Sequence, residues 1–260
     1  MNQRVGIVVP TLGNRPDYLE QCLSSIRAAG KSHILLVAPA SLKADALKFA
    51  GLIDSVVVDV GGGLAAAINL GIRALPSTVE FANWLGDDDL LTAGSLFASS
   101  KALDENDQTV MAFGSCDYIN GEGQTVWANS SGQWAVPLLR FGPDLIPQPG
   151  ALFRRSAFDK VGGLRTDLGW AFDFDLFIRL SKVGKLRFVN RTLAKFRWHP
   201  ESLSVGHRKK SVAEASQVRV SHLPPFLKPL SFIWEYPVQQ ATLIAGKRVT
   251  ANAKSRATSN

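Results

Sequence analysis

Strand-like and helix-like segments alternate through the first third of this chain, and that alternation narrows the folds open to it more than any other feature. The run 5–9, Val-Gly-Ile-Val-Val, is apolar and β-branched and stops at Pro10 and Thr11. Asn14-Arg15-Pro16-Asp17 then reads as a helix start with proline in the first turn. Leu19, Cys22, Leu23 and Ile26 follow at helical spacing until Gly30 stops the helix. A second apolar strand is expected over 33–37, a short helix over 43–50 and a third strand over 54–60. Gly61-Gly62-Gly63 leads into an alanine-rich helix over 64–75, and a fourth strand covers 81–85. This order implies a parallel sheet covered by helices on both faces, with ligands bound at the carboxyl ends of the strands. Thr11, the 38–41 turn, the glycine triplet and the residues after 85 all fall at such ends.

The fourth strand runs straight into Asp87, Asp88 and Asp89. Three adjacent carboxylates at a buried strand end repel one another unless a cation neutralises them. Hard oxygen ligands of this kind suit Mg²⁺ or Mn²⁺, above all when a substrate phosphate completes the shell. The competing reading is a solvated acidic turn that caps a helix starting near Thr92. The glycine triplet carries a similar pair of readings, a close approach of phosphate to backbone or a plain flexible turn.

The second half changes character. Thr109 to Tyr118 reads as a strand. Residues 120–147, rich in Gly, Trp, Ser and Pro, read as one long loop, 151–155 as a strand or helix entry, and Gly162-Gly163-Leu164 as a turn. A helix opens at Trp170-Ala171-Phe172-Asp173-Phe174-Asp175 and carries Phe172, Leu176, Leu180 and Val183 on its apolar face. Asp173 sits in its first turn, where the helix dipole favours a carboxylate, and Asp175 can pair with Arg179 one turn on. Short strands are expected at 186–190 and 193–198, before His199-Pro200 and a polar loop ending near Ser204. Trp127, Trp134 and Trp170 could stack on the face of a ligand or fill the core.

Charge is distributed in a way that excludes one class of partner. The chain carries a net +7, and residues 205–260 hold nine Lys/Arg against two acids, so the first 204 residues are neutral. The globular part therefore has no electrostatic footprint for nucleic acid. The tail mixes its basic residues with Phe226, Phe232, Trp234 and Tyr236 and with prolines. It suggests either an interfacial membrane contact or a helix packed on the domain with a disordered end from about Ala251. No apolar run approaches the roughly 20 residues of a membrane span, and the N-terminus has no signal-peptide pattern. Cys22 and Cys116 sit in apolar segments as expected of buried free thiols. Together these point to a cytoplasmic protein, peripheral on the inner membrane face if the tail binds lipid.

Over residues 5 to 204 these motifs resemble the family 2 inverting glycosyltransferases of GT-A fold. Val-Gly-Ile-Val-Val-Pro10-Thr11 is similar to the family's first nucleotide-binding strand and turn. Gly63-Leu-Ala-Ala-Ala-Ile68-Asn69-Leu-Gly71 is similar to its Gly-x-x-x-Ala-x-Asn-x-Gly segment, with Ile68 where a basic residue is common. Asp87-Asp88-Asp89 falls at its metal-binding Asp motif, with Gly86 in place of the first Asp. Phe172-Asp173-Phe174-Asp175 matches the segment that holds the catalytic base, with Phe172 where Glu is usual, and His199 matches a late histidine near metal and diphosphate. The second strand ends Val37-Ala38-Pro39-Ala40, without the acids that read the base in many members.

The resemblance implies a nucleotide-sugar-binding half over 1–105, an acceptor half over 106–204 and a basic C-terminal extension over 205–260. It implies donor contacts from Pro10, Thr11, Asn69, Asp87, Asp88 and Arg154. A Mn²⁺ or Mg²⁺ ion would sit among Asp88, Asp89 and His199, with Asp173 as base. The implied reaction is inverting transfer of a sugar from a nucleotide-sugar donor to a glycan or lipid-linked acceptor, in polysaccharide, lipopolysaccharide or other glycoconjugate assembly. The residues fit that chemistry: a cation for the leaving diphosphate and one carboxylate to take the acceptor proton. A nucleotidyltransferase would want a Gly-rich loop with a basic residue after the first strand, for which Leu12-Gly13-Asn14-Arg15 is a poor match. A non-catalytic sugar- or nucleotide-binding module would have no need of both Asp88 and Asp173.

Overall fold

The computed structural model describes residues 3–42, 48–129, 131–199 and 206–257. The 43–50 helix expectation falls mostly on residues outside this set. β1 (Val5–Pro10), β2 (His33–Ala38), β3 (Ser55–Val58) and β4 (Phe81–Trp84) form in the predicted places, as do α1 (Pro16–Ala29) and α2 (Leu64–Ala74). β1 pairs parallel with β2 on one side and β4 on the other, and β2 pairs parallel with β3. The chain thus leaves β1 in one direction and returns to its opposite side at β4. The carboxyl ends of β1 and β4 flank the point where strand order reverses, which is where open α/β sheets hold ligands.

Packing follows from alternation along the strands. Ile7 and Val9 point to one face, with α1 and α3 (Ser95–Asp104), while Val8 points to the other, against Ile68 and Ile72 of α2. Gly71 lets α2 approach that closely. A Cβ there would lie within 2.8 Å of both Val8 and Val37 side chains, so any larger residue pushes the helix off the sheet.

The sheet is mixed rather than mostly parallel. Its order is β3-β2-β1-β4-β8-β6-β9-β5, with β7 paired to β6. These later strands are β5 (Leu90–Leu91), β6 (Thr109–Ile119), β7 (Thr125–Asn129), β8 (Leu152–Arg154) and β9 (Lys185–Arg197). β8 runs antiparallel to both neighbours, β5 antiparallel to β9 and β7 antiparallel to β6, while β6 and β9 are parallel. Parallel pairing needs a crossover of a dozen or more residues. The turn at 120–124 is too short for one and makes a hairpin. The 120–147 segment is therefore partly regular, with β7 and the short helix α4 (Ala135–Leu138). The two strands expected at 186–198 are one bulged strand, β9. Helix α5 (Arg155–Lys160) and α6 (Phe172–Ser181) complete the domain.

The tail folds as α7 (Arg208–Ser221) and α8 (Phe232–Ala257), and the helix runs past the point where disorder was expected. Its anchors are polar and buried. Arg219 donates to Glu235 at 2.7 Å and to the Gly142 carbonyl at 2.8 Å. His222 Nε2 lies 2.9 Å from Asp175, which also takes Arg179. Burial opposes the charge of Asp175, but the His222 and Arg179 hydrogen bonds outweigh it and hold its pKa below the ordinary value. The boundary drawn at 204/205 lies in undescribed residues, and these contacts run across it.

Candidate active site

Asp87, Asp88 and Asp89 leave β4 on a turn that Gly86 makes possible: a Cβ at 86 would stand 2.9 Å from an Asp88 carboxylate oxygen. Each carboxylate meets different surroundings. Asp87 accepts the Thr11 hydroxyl at 2.6 Å and one arm of Arg15 at 2.7 Å. Asp88 accepts the other arm of Arg15 at 2.7 Å and lies 2.9 Å from His199 Nε2. Asp89 turns inward and accepts the backbone N–H of Arg197 at 2.9 Å. The solvated acidic turn is thereby excluded, since Asp87 and Asp89 are about 95% buried.

Electrostatics separate the three. Burial raises the pKa of Asp87 despite its Thr11 and Arg15 contacts. Burial opposes the charge of Asp88 as well, but His199 and Arg15 prevail and lower its pKa. Asp89 is pushed well above the usual range by burial and then by the neighbouring Asp88 charge. Asp88 is thus the carboxylate held ionised, with an oxygen on the open side of the cluster.

Two arginines without a predicted role organise this corner. Arg15, from the loop before α1, bridges Asp87 and Asp88, and its Nη1 is 3.1 Å from His199 Nε2. Arg197 is fully buried, stacks 4.2 Å over the Tyr18 ring and donates to the carbonyls of Asp88 and Gly121 and to Gln21. It ties the end of β9 to α1 and to the β6–β7 turn, which is what brings His199 to the Asp cluster. Helix-start grammar accounted for Arg15 and strand patterning for Arg197, so neither stood out in the sequence.

Asp88 Oδ2 and His199 Nε2 contact each other at 2.9 Å, a carboxylate oxygen and an imidazole nitrogen side by side, both donor types that divalent cations accept. The Arg15 guanidinium now lies against both atoms and supplies the opposing charge. Among the described residues no group of three or more His, Cys, Asp or Glu is arranged to hold a metal. Mg²⁺ is usually held by one or two carboxylates with substrate phosphates and water completing its shell, so few protein ligands are needed. Asp89 accepts the Arg197 N–H through Oδ1 and so also anchors the end of β9.

Two predicted donor contacts lie elsewhere. Both amide atoms of Asn69 bond the backbone of Leu164, at 2.8 and 2.9 Å, pinning α2 to the turn before α6. Arg154 pairs with Phe81 at the far, amino end of β4, and its guanidinium holds the carbonyls of Thr109 and Leu103. Sequence position placed both near the site; strand direction and hydrogen bonding assign them to the scaffold. Gln148 does reach the site's floor, donating to the Trp84 carbonyl at 2.8 Å and to Asn83. Pro10 closes β1 beside Thr11, whose N–H is held by Val37.

Asp173 occupies the first turn of α6, where its carboxylate accepts the Phe174 N–H at 2.8 Å. Phe172 packs on Trp84, ring centroids 6.3 Å apart, so this helix start is set beside the end of β4. Asp173 lines a cleft of about 190 Å³ with Asp144, Trp170, Val212, Arg219 and Gln239. Burial there raises its pKa to about 6, against backbone hydrogen bonds that lower it, and the Glu214 charge adds a smaller upward push. Glu214 of α7 also accepts the N–H groups of Gly169, Trp170 and Ala171. The tail therefore shapes the surroundings of Asp173. Trp170 belongs to the cleft, whereas Trp127 and Trp134 are exposed.

The fold that carries this Asp turn and this cleft is similar to that of solved structures. The chain superposes on the structure of TarS residues 1–349 from S. aureus in complex with UDP-GlcNAc with a TM-score of 0.62 at 14% identity, covering 86% of this chain and 69% of that one. It superposes on the mannosyltransferase PcManGT from Pyrobaculum calidifontis in complex with GDP-Man and Mn²⁺ with a TM-score of 0.62 at 18% identity, covering 99% and 80%. The fold is thus one that glycosyltransferases adopt. In sequence, uncharacterized glycosyltransferases of Rickettsia felis and Rickettsia conorii are each 24% identical over 217 residues, 76% of this chain. The chain spans 34% of the length of these relatives. No family model matches it.

Proposed function

We propose that this chain is an inverting glycosyltransferase that moves a sugar from a nucleotide-sugar donor to an acceptor hydroxyl in a single displacement. The observation that carries the proposal is that one fold places an acidic cluster after β4 and a second carboxylate on the helix whose start packs against β4. The Thr11–Asp87–Arg15–Asp88–His199 cluster sits at the ends of β1 and β4, and Asp173 starts the helix packed on Trp84. The solved neighbours with UDP-GlcNAc and with GDP-Man support a nucleotide-sugar donor without choosing the nucleotide.

Asp88 and His199 are the residues that would hold Mn²⁺ or Mg²⁺. Bound there, such an ion would supply Lewis-acid neutralisation of the departing diphosphate. Arg15, beside both ligands, adds a fixed positive charge on the same side. Thr11 holds Asp87 and with it the turn that aims Asp88. Asp173 takes the proton of the acceptor hydroxyl, for which a carboxyl raised to about 6 is a stronger base than a free one and is ionised at neutral pH. Gln148 keeps the end of β4 in place beneath donor and base.

The test is binding and turnover over a panel of nucleotide sugars with Mn²⁺, Mg²⁺ or EDTA. One donor should bind in a metal-dependent manner and lose its affinity in Asp88→Ala. Asp173→Asn should retain donor binding while kcat falls by about 10²–10⁴-fold, the usual contribution of a general base. Failure of every donor to bind under every metal would sink the assignment.

A further inference from the structure

The geometry points to a membrane-docking face, formed by residues 132–141 and the 224–253 segment, that sits on anionic lipid and presents the Asp173 cleft to an acceptor carried in the bilayer. It rests on the proposed transferase reading for the acceptor alone; the docking itself does not depend on it. The large exposed apolar side chains of the described residues concentrate here. Trp134, Leu138 and Phe141 come from one segment, Phe226, Phe232 and Tyr236 from the other, with exposures of 41–74%. Tertiary packing unites them, since Phe141 meets Trp234 edge-on with ring centroids 5.8 Å apart. An exposed apolar patch drawn from two distant segments marks an interaction surface, and its aromatic content suits the water–lipid boundary.

Charge selects the partner. Between 132 and 143 and between 206 and 253 the acids are Glu214 and Glu235. Both carboxylates are consumed internally, Glu214 by the 169–171 backbone and Glu235 by Arg219 and Ser216. Asp144, the next acid in the chain, lines the cleft. Arg140, Lys228, Lys247 and Arg248 are all exposed. On α8 the exposed positions 233, 236, 240, 244 and 247 recur every three or four residues, so one stripe runs from Ile233 and Tyr236 to Lys247. The exposed side of α8 thus offers aromatic and apolar groups at one end and basic groups at the other, the two kinds of contact an anionic lipid surface accepts. No helix among the described residues is long and apolar enough to cross a membrane. The opposite side of α8 contributes Gln239 and Thr242 to the Asp173 cleft, and Gly142, next to Phe141, holds Arg219 of the cleft wall. Docking by this face therefore holds α8, and with it the cleft that α8 walls, next to the lipid surface.

Sedimentation of the full chain with vesicles tests this. Phosphatidylcholine vesicles containing phosphatidylglycerol should carry the chain down, and phosphatidylcholine alone should do so far less. Added salt should weaken the interaction. Lys247→Ala with Arg248→Ala should reduce partitioning by about 25-fold, near fivefold for each charge. Phe232→Ser with Ile233→Ser should reduce it by roughly tenfold or more. Both pairs are solvent-exposed, so melting temperature and donor binding should stay at wild-type values. Equal sedimentation with neutral and anionic vesicles, or none with either, overturns the proposal. So does a dimer in light scattering that Phe232→Ser with Ile233→Ser dissociates, which would assign the face to a second copy. Vesicle binding with no donor bound under any metal would remove the transferase reading and leave the docking face standing.

Discussion

Arg15 is under two opposed demands. It neutralises Asp87 and Asp88 in the free protein, and it lies against the two atoms best placed to hold a cation. Arg15→Ala should leave two largely buried carboxylates uncompensated and lower metal-free stability by about 3 kcal/mol, a fall in Tm on the order of 10 °C. Mn²⁺ should recover most of that loss, because the ion then supplies the missing charge. A thermal melt with Mn²⁺ and with EDTA checks this, and equal Tm values for wild type and variant in EDTA would remove the argument. Asp173 carries a second residue-scale prediction. Its folded pKa of about 6 lies above the unfolded value near 3.9. The folded state therefore holds the extra proton between those values, and this residue's contribution to stability declines as pH rises from about 4 to 6. Activity moves the other way. Because the base must be ionised, kcat/KM should climb with pH up to about 6 and then level off, and a profile flat between pH 5 and 7 would exclude Asp173 as the base.

Among the elements, α2 shows how a motif can be structural. Asn69 and Gly71 stand in a segment that the family resemblance ties to the donor. Here the first bonds Leu164 through both amide atoms and the second admits Val8. Asn69→Ala should destabilise by roughly 2–3 kcal/mol, since it leaves a buried N–H and C=O without partners. It should leave donor affinity unchanged, as measured by calorimetry beside a urea melt. The same logic moved Arg154 to the scaffold. Register decides such cases: Arg154 of β8 pairs with Phe81, the first residue of β4, whereas the Asp turn follows its last, Trp84. A linear sequence holds the order of these residues but carries no pairing partner for β8.

For the whole molecule, the tail does what one of its two sequence readings expected and packs as a helix on the domain. In space α7 supplies Val212, Glu214 and Arg219 to the Asp173 cleft and its floor. Glu235→Ala should cost about 3–5 kcal/mol, because Arg219 is almost wholly buried and would lose its counter-charge. The variant should also shift the kcat/KM profile attributed to Asp173 by loosening α7 from the cleft. Destabilisation with an unmoved profile would show that α7 props the domain without shaping the base.

The parallel half of the sheet, α1 and α2, the buried thiols, the Asp turn and the helix that begins at Asp173 were all legible in the sequence. Each rests on local pattern: alternating or helical apolar spacing, a proline or glycine at a boundary, adjacent like charges that need compensation. Tertiary structure alone decided which carboxylate stays ionised, that Arg15 and Arg197 assemble the corner around His199, that Asn69 and Arg154 serve the scaffold, and that the tail walls the cleft. These depend on pairings between residues up to 184 positions apart, such as Arg15 with His199. Burial and long-range hydrogen bonding set those energies, and neither is a property of any local stretch of chain.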